Sequence, residues 1–550
     1  MKGNRFIFRQ SSAKSALRDV WLVWLVLSIV TTLPYAIALA RTPEGTVFTG
    51  VLSAYDDTFA YFAWMREGLD GHLLMRDPFT SEPQSRDFFL PLWGLLGFAA
   101  RITGLSIPVI FHIARLLAAL ALLIVARAVS RTIMKSRRRV RFSLWLYATS
   151  GGMGWLIYWL NNRSDLLGQR AMSSSVDLTM PEAIAFRSIF AQVHFAIGVV
   201  LVGIALKLFF DALAGDAAVR AVISGALVSL LAVVHPYMVV VVSGVALVAA
   251  ILSPWFVDRE NEAVRYCASA RALMGFGVAA LPGAAYLLYL RRSNNVMQEW
   301  LRVTDTLSPA PWDYLFGFGI VAALGIAGLV TIWKGRSLYG RMLLIWCVIQ
   351  SALLYVPLTI QRRLVEGLQL PLAIAASVAV FAITSRTFRH FKAVRFRKAV
   401  LVAIVAFSSL TNLGFVVGQL VDRGPRPDDA WRYTPVDLNS AFDWLQSNAP
   451  PESVLFTSYV TGNMAPSRTG LRVFFGHYAQ TIQSDSKAEQ VTAFYSNAMT
   501  EEAKRLLFEA HHVSYVIYGP FEQRISREFV AGPSLALVHR AGEVELFEVR

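Results

Sequence analysis

Apolar positions along this chain gather into runs of about 20 residues, the length that carries a helix across the hydrocarbon core of a bilayer. Short polar stretches separate the runs. The first, Val20–Ala40, follows Lys2, Arg5, Arg9, Lys14 and Arg18. Ala38-Leu39-Ala40 mimics a signal-peptidase site, but the run exceeds the ~7–15 apolar residues of a signal peptide and predicts an uncleaved helix. Further spans are predicted at Ile107–Ala128, Phe142–Leu160, Ile189–Phe210, Ala272–Leu290, Tyr314–Trp333, Met342–Pro357, Leu368–Thr384 and Ala399–Leu420. Ala221–Val257 is too long for one span and breaks at His235-Pro236-Tyr237, so it reads as a two-helix hairpin. Phe88–Thr103 is short and holds Pro91 and Arg101; a crossing there would turn the basic run Arg131–Arg141 outward. It is predicted to lie at the interface instead. The count is about eleven transmembrane helices.

Composition excludes the soluble classes. Hydrophobic residues make up 55% and charged residues 16%, against about one quarter charged in soluble chains. The net charge of +15 is unevenly placed: Leu420–Arg550 holds 12 Lys+Arg against 16 Asp+Glu. The excess sits in short loops and is about three times denser on one side, which sets orientation and gives no sign of a nucleic-acid partner. The N-terminus is expected in the cytoplasm, the C-terminal region outside, and the chain in the inner or plasma membrane as a multi-pass protein. Cys267 and Cys347 offer neither a disulfide framework nor a metal motif.

Texture changes near residue 420. Residues 1–420 read as the transmembrane domain, and Asp422–Asp429 as a linker into a small extracytoplasmic α/β domain over 421–550. Strands are predicted at Val454–Thr457, Arg472–Phe475 and Val513–Tyr518, with Val544–Val549 as an edge strand. Helices are predicted around Phe442–Leu445 and at Glu501–His511.

Candidate chemistry falls in four outer segments. In the first loop, Asp56 and Asp57 open an amphipathic stretch beside a span. A carboxylate there can take a proton from a hydroxyl or hold a cation; the structural alternative is a helix N-cap. The second segment, Asn161–Ser188, holds Asp165, Asp177 and Glu182 and leads to His194. The third is His235 in the hairpin turn, where His-Pro also simply ends a helix. The fourth holds Arg362, Arg363 and Glu366. Guanidinium groups at headgroup depth suit phosphate; the alternatives are snorkelling or pairing with Glu366. Walker loops, dinucleotide turns, HExxH and Cys/His metal spacings are absent from the sequence. An outward-facing site has no nucleotide donors, which points to an activated lipid.

Asp57-Thr-Phe-Ala-Tyr61 followed by Arg66-Glu67 resembles the first-loop acidic motif of GT-C glycosyltransferases. That superfamily includes protein O-mannosyltransferases, oligosaccharyltransferases and aminoarabinose transferases. Gln361–Pro371 and Gly476-His477-Tyr478 look like pieces of its bacterial members. The resemblance implies a GT-C-like fold with interfacial helices in the first outer loop. It also implies inverting transfer of a hexose or pentose from a polyprenyl-phosphate-linked donor to a glycan, lipid or protein acceptor. The family motif often reads Asp-Glu. Here Thr58 takes the place of Glu, with Asp56 on the other side, so the catalytic acid is one of this pair; alignment through Tyr61 favours Asp57. A second acid is implied among Glu182, Asp177 and Asp165, with His194 and His235 as further acceptor or metal candidates. Arg362 and Arg363 are assigned to the lipid phosphate. Some members use a divalent metal and others do not, so the metal stays open and no other cofactor is implied. The competing readings are a transporter or flippase of lipid-linked saccharides, marked by buried mid-membrane charges, and an inactive GT-C-like scaffold.

Overall fold

The computed structural model describes residues 3–161, 175–215, 217–257, 262–387, 394–421 and 431–550; Asp165 and the linker 422–429 lie outside them. Among the described residues six helices are long and apolar enough to cross a membrane: Leu17–Ala40, Ile107–Ile133, Val193–Gly215, Tyr237–Trp255, Ala263–Ser293 and Pro311–Lys334. Arg395–Ser408 and Leu410–Val421 form a further apolar pair, bent by 51°. Ala218–Val234, Leu338–Leu353 and Gln369–Ser385 are shorter apolar helices. The protein is a polytopic α-helical membrane protein.

The predicted hairpin breaks where the sequence places it. His235 ends one helix and the next begins at Tyr237, because Pro236 has no N–H to continue the ladder. The segment predicted as one span over Phe142–Leu160 is instead two helices, Arg137–Thr149 and Gly154–Asn161. The cause is a close backbone approach: a Cβ on Gly152 would lie 2.2 Å from the Phe316 carbonyl oxygen. Two of the N–H groups freed at the break go to Asp177 Oδ2, from Gly152 at 2.8 Å and Gly154 at 3.1 Å, and that of Met153 goes to the Phe316 carbonyl at 2.8 Å.

Packing divides the chain into two compact units. One comprises Met1–Pro34, Ala114–Tyr286 and Thr306–Val421; the other comprises Tyr35–Ile113, Leu287–Asp305 and Asp422–Arg550. In the second unit the loop after the first span folds together with the C-terminal region. Strand β1 (Thr46–Phe48) pairs antiparallel with β2 (Tyr433–Pro435). Val473 N–H donates to the Pro78 carbonyl at 2.9 Å and Thr481 Oγ1 to the Phe79 carbonyl at 2.8 Å. Lys487 Nζ lies 2.7 Å from Glu82. Helix Tyr55–Asp70 crosses helix Pro91–Thr103 at glycines: a Cβ on Gly97 would lie 2.0 Å from the Met65 carbonyl oxygen. Leu95, Phe98 and Ile102 on the second of these helices are exposed, the apolar ridge expected of a helix resting on lipid.

The C-terminal sheet contains β3 (Val454–Phe456), β4 (Arg472–Val473), β5 (Val513–Tyr518), β6 (Leu535–Ala541) and β7 (Val544–Val549), in the order β4-β3-β5-β7-β6. β3 is parallel to β4 and β5; the β5-β7-β6 part is antiparallel. Val544–Val549 is therefore not the edge strand predicted. The tight turn at Gly542, φ +53, returns the chain so that β6 takes the edge. Two helices escaped the sequence reading, Tyr459–Thr469 and Ser484–Tyr495. Phe456, Phe474, Phe494, Tyr495 and Val516 fill the core beneath the sheet.

Candidate active site

In the second unit, helix Tyr55–Asp70 begins after Ala54, which holds a left-handed conformation at φ 48 and makes no side-chain cap. The acidic pair is thus not an N-cap. Asp56 and Asp57 occupy the first turn, where the positive end of the helix dipole favours carboxylates. Thr58, in the place of the family Glu, is buried and donates its hydroxyl to the Ala54 carbonyl at 2.7 Å.

The two acids have different surroundings. Asp56 Oδ2 accepts a hydrogen bond from the Tyr459 hydroxyl at 2.9 Å. Burial pushes the Asp56 carboxyl above the usual range; the Tyr459 hydroxyl and His477 pull it back, and Asp57 pushes it up. The Asp57 side chain is 51% exposed and lies 3.5 Å from Nε2 of the buried His477. His477 Nδ1 accepts the Ala479 N–H at 3.3 Å, which assigns the ring proton to Nε2, facing Asp57. A reactant in solution can therefore reach Asp57, with an imidazole N–H behind it.

Glycines bring these groups together. A Cβ on Gly462 would lie 2.0 Å from the Phe475 carbonyl oxygen, and one on Gly476 would lie 2.8 Å from Phe79. Helix Tyr459–Thr469 can therefore lie directly on the segment leading to His477. Trp431 packs against Tyr55, Phe59 and Tyr459 at 5.9–6.1 Å between ring centroids. A cavity of about 410 Å³ in the same unit is lined by Phe59, Phe62, Arg66, Asn439, Phe442 and Met464, among others. Its mixture of aromatic and amide groups is that of a small-molecule pocket. The sequence reading missed Tyr459 and Trp431 and gave His477 no role. Tyr459 is 403 positions from Asp56, and no local pattern marks it.

In the first unit, Glu182 is buried and its Oε1 lies 3.3 Å from the Arg363 guanidinium. That guanidinium also stands 6.0 Å from the Tyr237 ring centroid. Fully buried Glu366 pairs with His235 at 2.6 Å, and the His194 ring is 5.2 Å from that of His235. The Arg362 backbone N–H donates to the Thr306 carbonyl at 2.9 Å. Gln350 Nε2 holds the same loop through the Leu364 and Glu366 carbonyls at 2.8 and 2.6 Å. Asp177 accepts from Ser175 Oγ at 2.5 Å besides the two glycine N–H groups, so its carboxylate is occupied in closing the broken helix. Among the described residues of this segment, Glu182 forms an ion pair with an arginine.

No protein-family profile matches the sequence, and no curated protein does. Solved structures do. The Archaeoglobus fulgidus oligosaccharyltransferase tethered with an acceptor peptide aligns at a TM-score of 0.55 and 13% identity, over 91% of this chain and 69% of that one. ArnT from Cupriavidus metallidurans bound to undecaprenyl phosphate aligns at 0.51 and 13% identity, over 96% and 98%. The chain has the GT-C fold. The archaeal enzyme in complex with Zn and sulfate aligns at 0.53 and 14% identity, over 90% and 67%. In the present chain, no three His, Cys, Asp or Glu side chains among the described residues converge to hold a metal ion.

Proposed function

We propose that the protein is a glycosyltransferase that moves a hexose or pentose from a polyprenyl-phosphate lipid to an acceptor at the outer face of the membrane, with inversion. The observation that carries the reading is the half-exposed Asp57 in the first turn of its helix, backed by the His477 imidazole. The acceptor hydroxyl oxygen attacks the anomeric carbon, and Asp57 takes the hydroxyl proton. The bond from that carbon to the phosphate oxygen breaks, and the lipid phosphate leaves with the electron pair. Arg362 and Arg363 meet the growing charge. The cavity beside helix Tyr55–Asp70 takes part of the acceptor. The undecaprenyl phosphate on ArnT and the acceptor peptide on the archaeal enzyme support a lipid donor and a separate acceptor here.

In proteoliposomes carrying a labelled polyprenyl-phosphate sugar, free polyprenyl phosphate and glycosylated acceptor should form in equal amounts. Intact lipid-linked sugar that crosses the bilayer uncleaved would instead identify the transporter. The orientation is a proposal of the charge asymmetry. A membrane-impermeant thiol reagent on intact cells should label Ser486→Cys and spare Ser136→Cys, in a background without Cys267. The opposite pattern would turn every outward assignment around.

A further inference from the structure

Glu522 is fully buried. Among the described residues its carboxylate meets five neutral donors. Oε1 accepts the Thr457 hydroxyl at 2.8 Å, the Ser458 N–H at 3.0 Å, the Ser458 hydroxyl at 2.6 Å and the Thr461 hydroxyl at 2.7 Å. Oε2 accepts the Gly519 N–H at 3.0 Å. A buried carboxylate is tolerated only when its lone pairs are filled in this way. The arrangement has a direction. Ser458 is the N-cap of helix Tyr459–Thr469, yet its side chain caps none of the backbone N–H groups of that helix and meets within it the Thr461 hydroxyl at 3.3 Å. The Ser458 hydroxyl donates to Glu522, which also takes the Ser458 N–H and the Thr461 hydroxyl, so a carboxylate stands at the positive end of that helix and holds its first turn. The next residue is Tyr459, whose hydroxyl reaches Asp56 at 2.9 Å.

We propose that Glu522 is a positioning residue for the acid pair: it holds the first turn of helix Tyr459–Thr469 so that the Tyr459 hydroxyl meets Asp56. Its effect on turnover rests on the transferase reading; its effect on geometry does not. Both are measurable.

Glu522→Ala should lower kcat by about 2- to 10-fold, the size of a coupling between neighbours in one network, and leave KM for the donor lipid in place. Added to Tyr459→Phe it should lower kcat no further, because the hydroxyl it positions is already gone. Thr500→Ala removes the N-cap of another helix of the same unit, where Thr500 Oγ1 accepts the Ala503 N–H at 3.2 Å. It should lower Tm without lowering kcat. Glu522→Gln keeps one acceptor oxygen and serves if the alanine variant does not fold. It should fall between wild type and alanine. Losses that multiply in the double variant, or a wild-type kcat in Glu522→Gln and Glu522→Ala, would overturn the proposal.

The reaction-free arm uses 3-fluorotyrosine incorporated at position 459. Its ¹⁹F resonance should move on Asp56→Asn in the wild-type background, move less in the Glu522→Gln background and stay still in the Glu522→Ala background. A response in the Glu522→Ala background equal to that in wild type, or in Glu522→Gln where the alanine variant does not fold, overturns the proposal. A wild-type protein that transfers no sugar overturns only the transferase reading, and the ¹⁹F result then decides the role of Glu522.

Discussion

Asp57→Asn should lower sugar transfer by about 10²–10⁴-fold, the usual worth of a positioned general base. The amide is nearly isosteric with the carboxylate but cannot take the acceptor's proton. Loss of a charge from the first helical turn costs only about 0.3–1 kcal/mol, so thermal unfolding should barely move and donor-lipid binding should be retained. Asp56→Asn should cost less, because Asp56 Oδ2 already holds the Tyr459 hydroxyl. Tyr459→Phe removes a donor that favours the ionised form of Asp56. The pKa of Asp56, already raised by burial and shaped by Tyr459, His477 and Asp57, should rise further, and any activity that needs ionised Asp56 should be lost at higher pH than in wild type. Measured turnover numbers for the three variants decide the assignment. A larger loss in Asp56→Asn than in Asp57→Asn transfers the base to Asp56, and wild-type rates in both remove the acid pair from catalysis.

Arg363→Ala should slow transfer by about 10- to 150-fold, the equivalent of roughly 1.5–3 kcal/mol for a charge-assisted contact. Two effects are mixed in that number. One is the contact to the leaving phosphate. The other is the charge of buried Glu182, left without the guanidinium now 3.3 Å away. The variant Arg363→Ala with Glu182→Gln separates them. If Arg363 only neutralises Glu182, the double variant should recover wild-type turnover. If Arg363 holds phosphate, it should stay slow. Arg363→Lys should fall between wild type and alanine, because lysine keeps the charge and loses the planar fork. Simple snorkelling predicts equal rates for Arg and Lys at positions 362 and 363. Turnover and donor-lipid affinity of these variants give the answer.

Much of the architecture is a local property of the chain. A helix in lipid must satisfy its own backbone, so every span has to announce itself as a long apolar run. For the same reason Pro236, which cannot donate, marks the hairpin break in the sequence alone. The acidic pair was equally visible, because charges beside a span are costly and stand out. Alternating patterns revealed β5 and β7 but misjudged which strand lies at the edge. Period-2 burial describes a strand's faces and says nothing of its neighbours.

The pairings were decided by tertiary structure. Asp56 meets Tyr459 across 403 positions, and Glu182 meets Arg363 across 181. The bend in the segment expected to run straight over 142–160 exists because the Phe316 carbonyl occupies the space a side chain at Gly152 would need. Gly462 and Gly476 admit helix Tyr459–Thr469 onto the segment that carries His477 in the same manner. A glycine in a sequence is compatible with many neighbours, and only close packing selects one. The sequence by itself thus determined that this is a membrane protein with acids and arginines beside its spans. Which acid faces an imidazole, which is held by a tyrosine and which meets an arginine depends on contacts between distant segments, and those leave no periodicity to read.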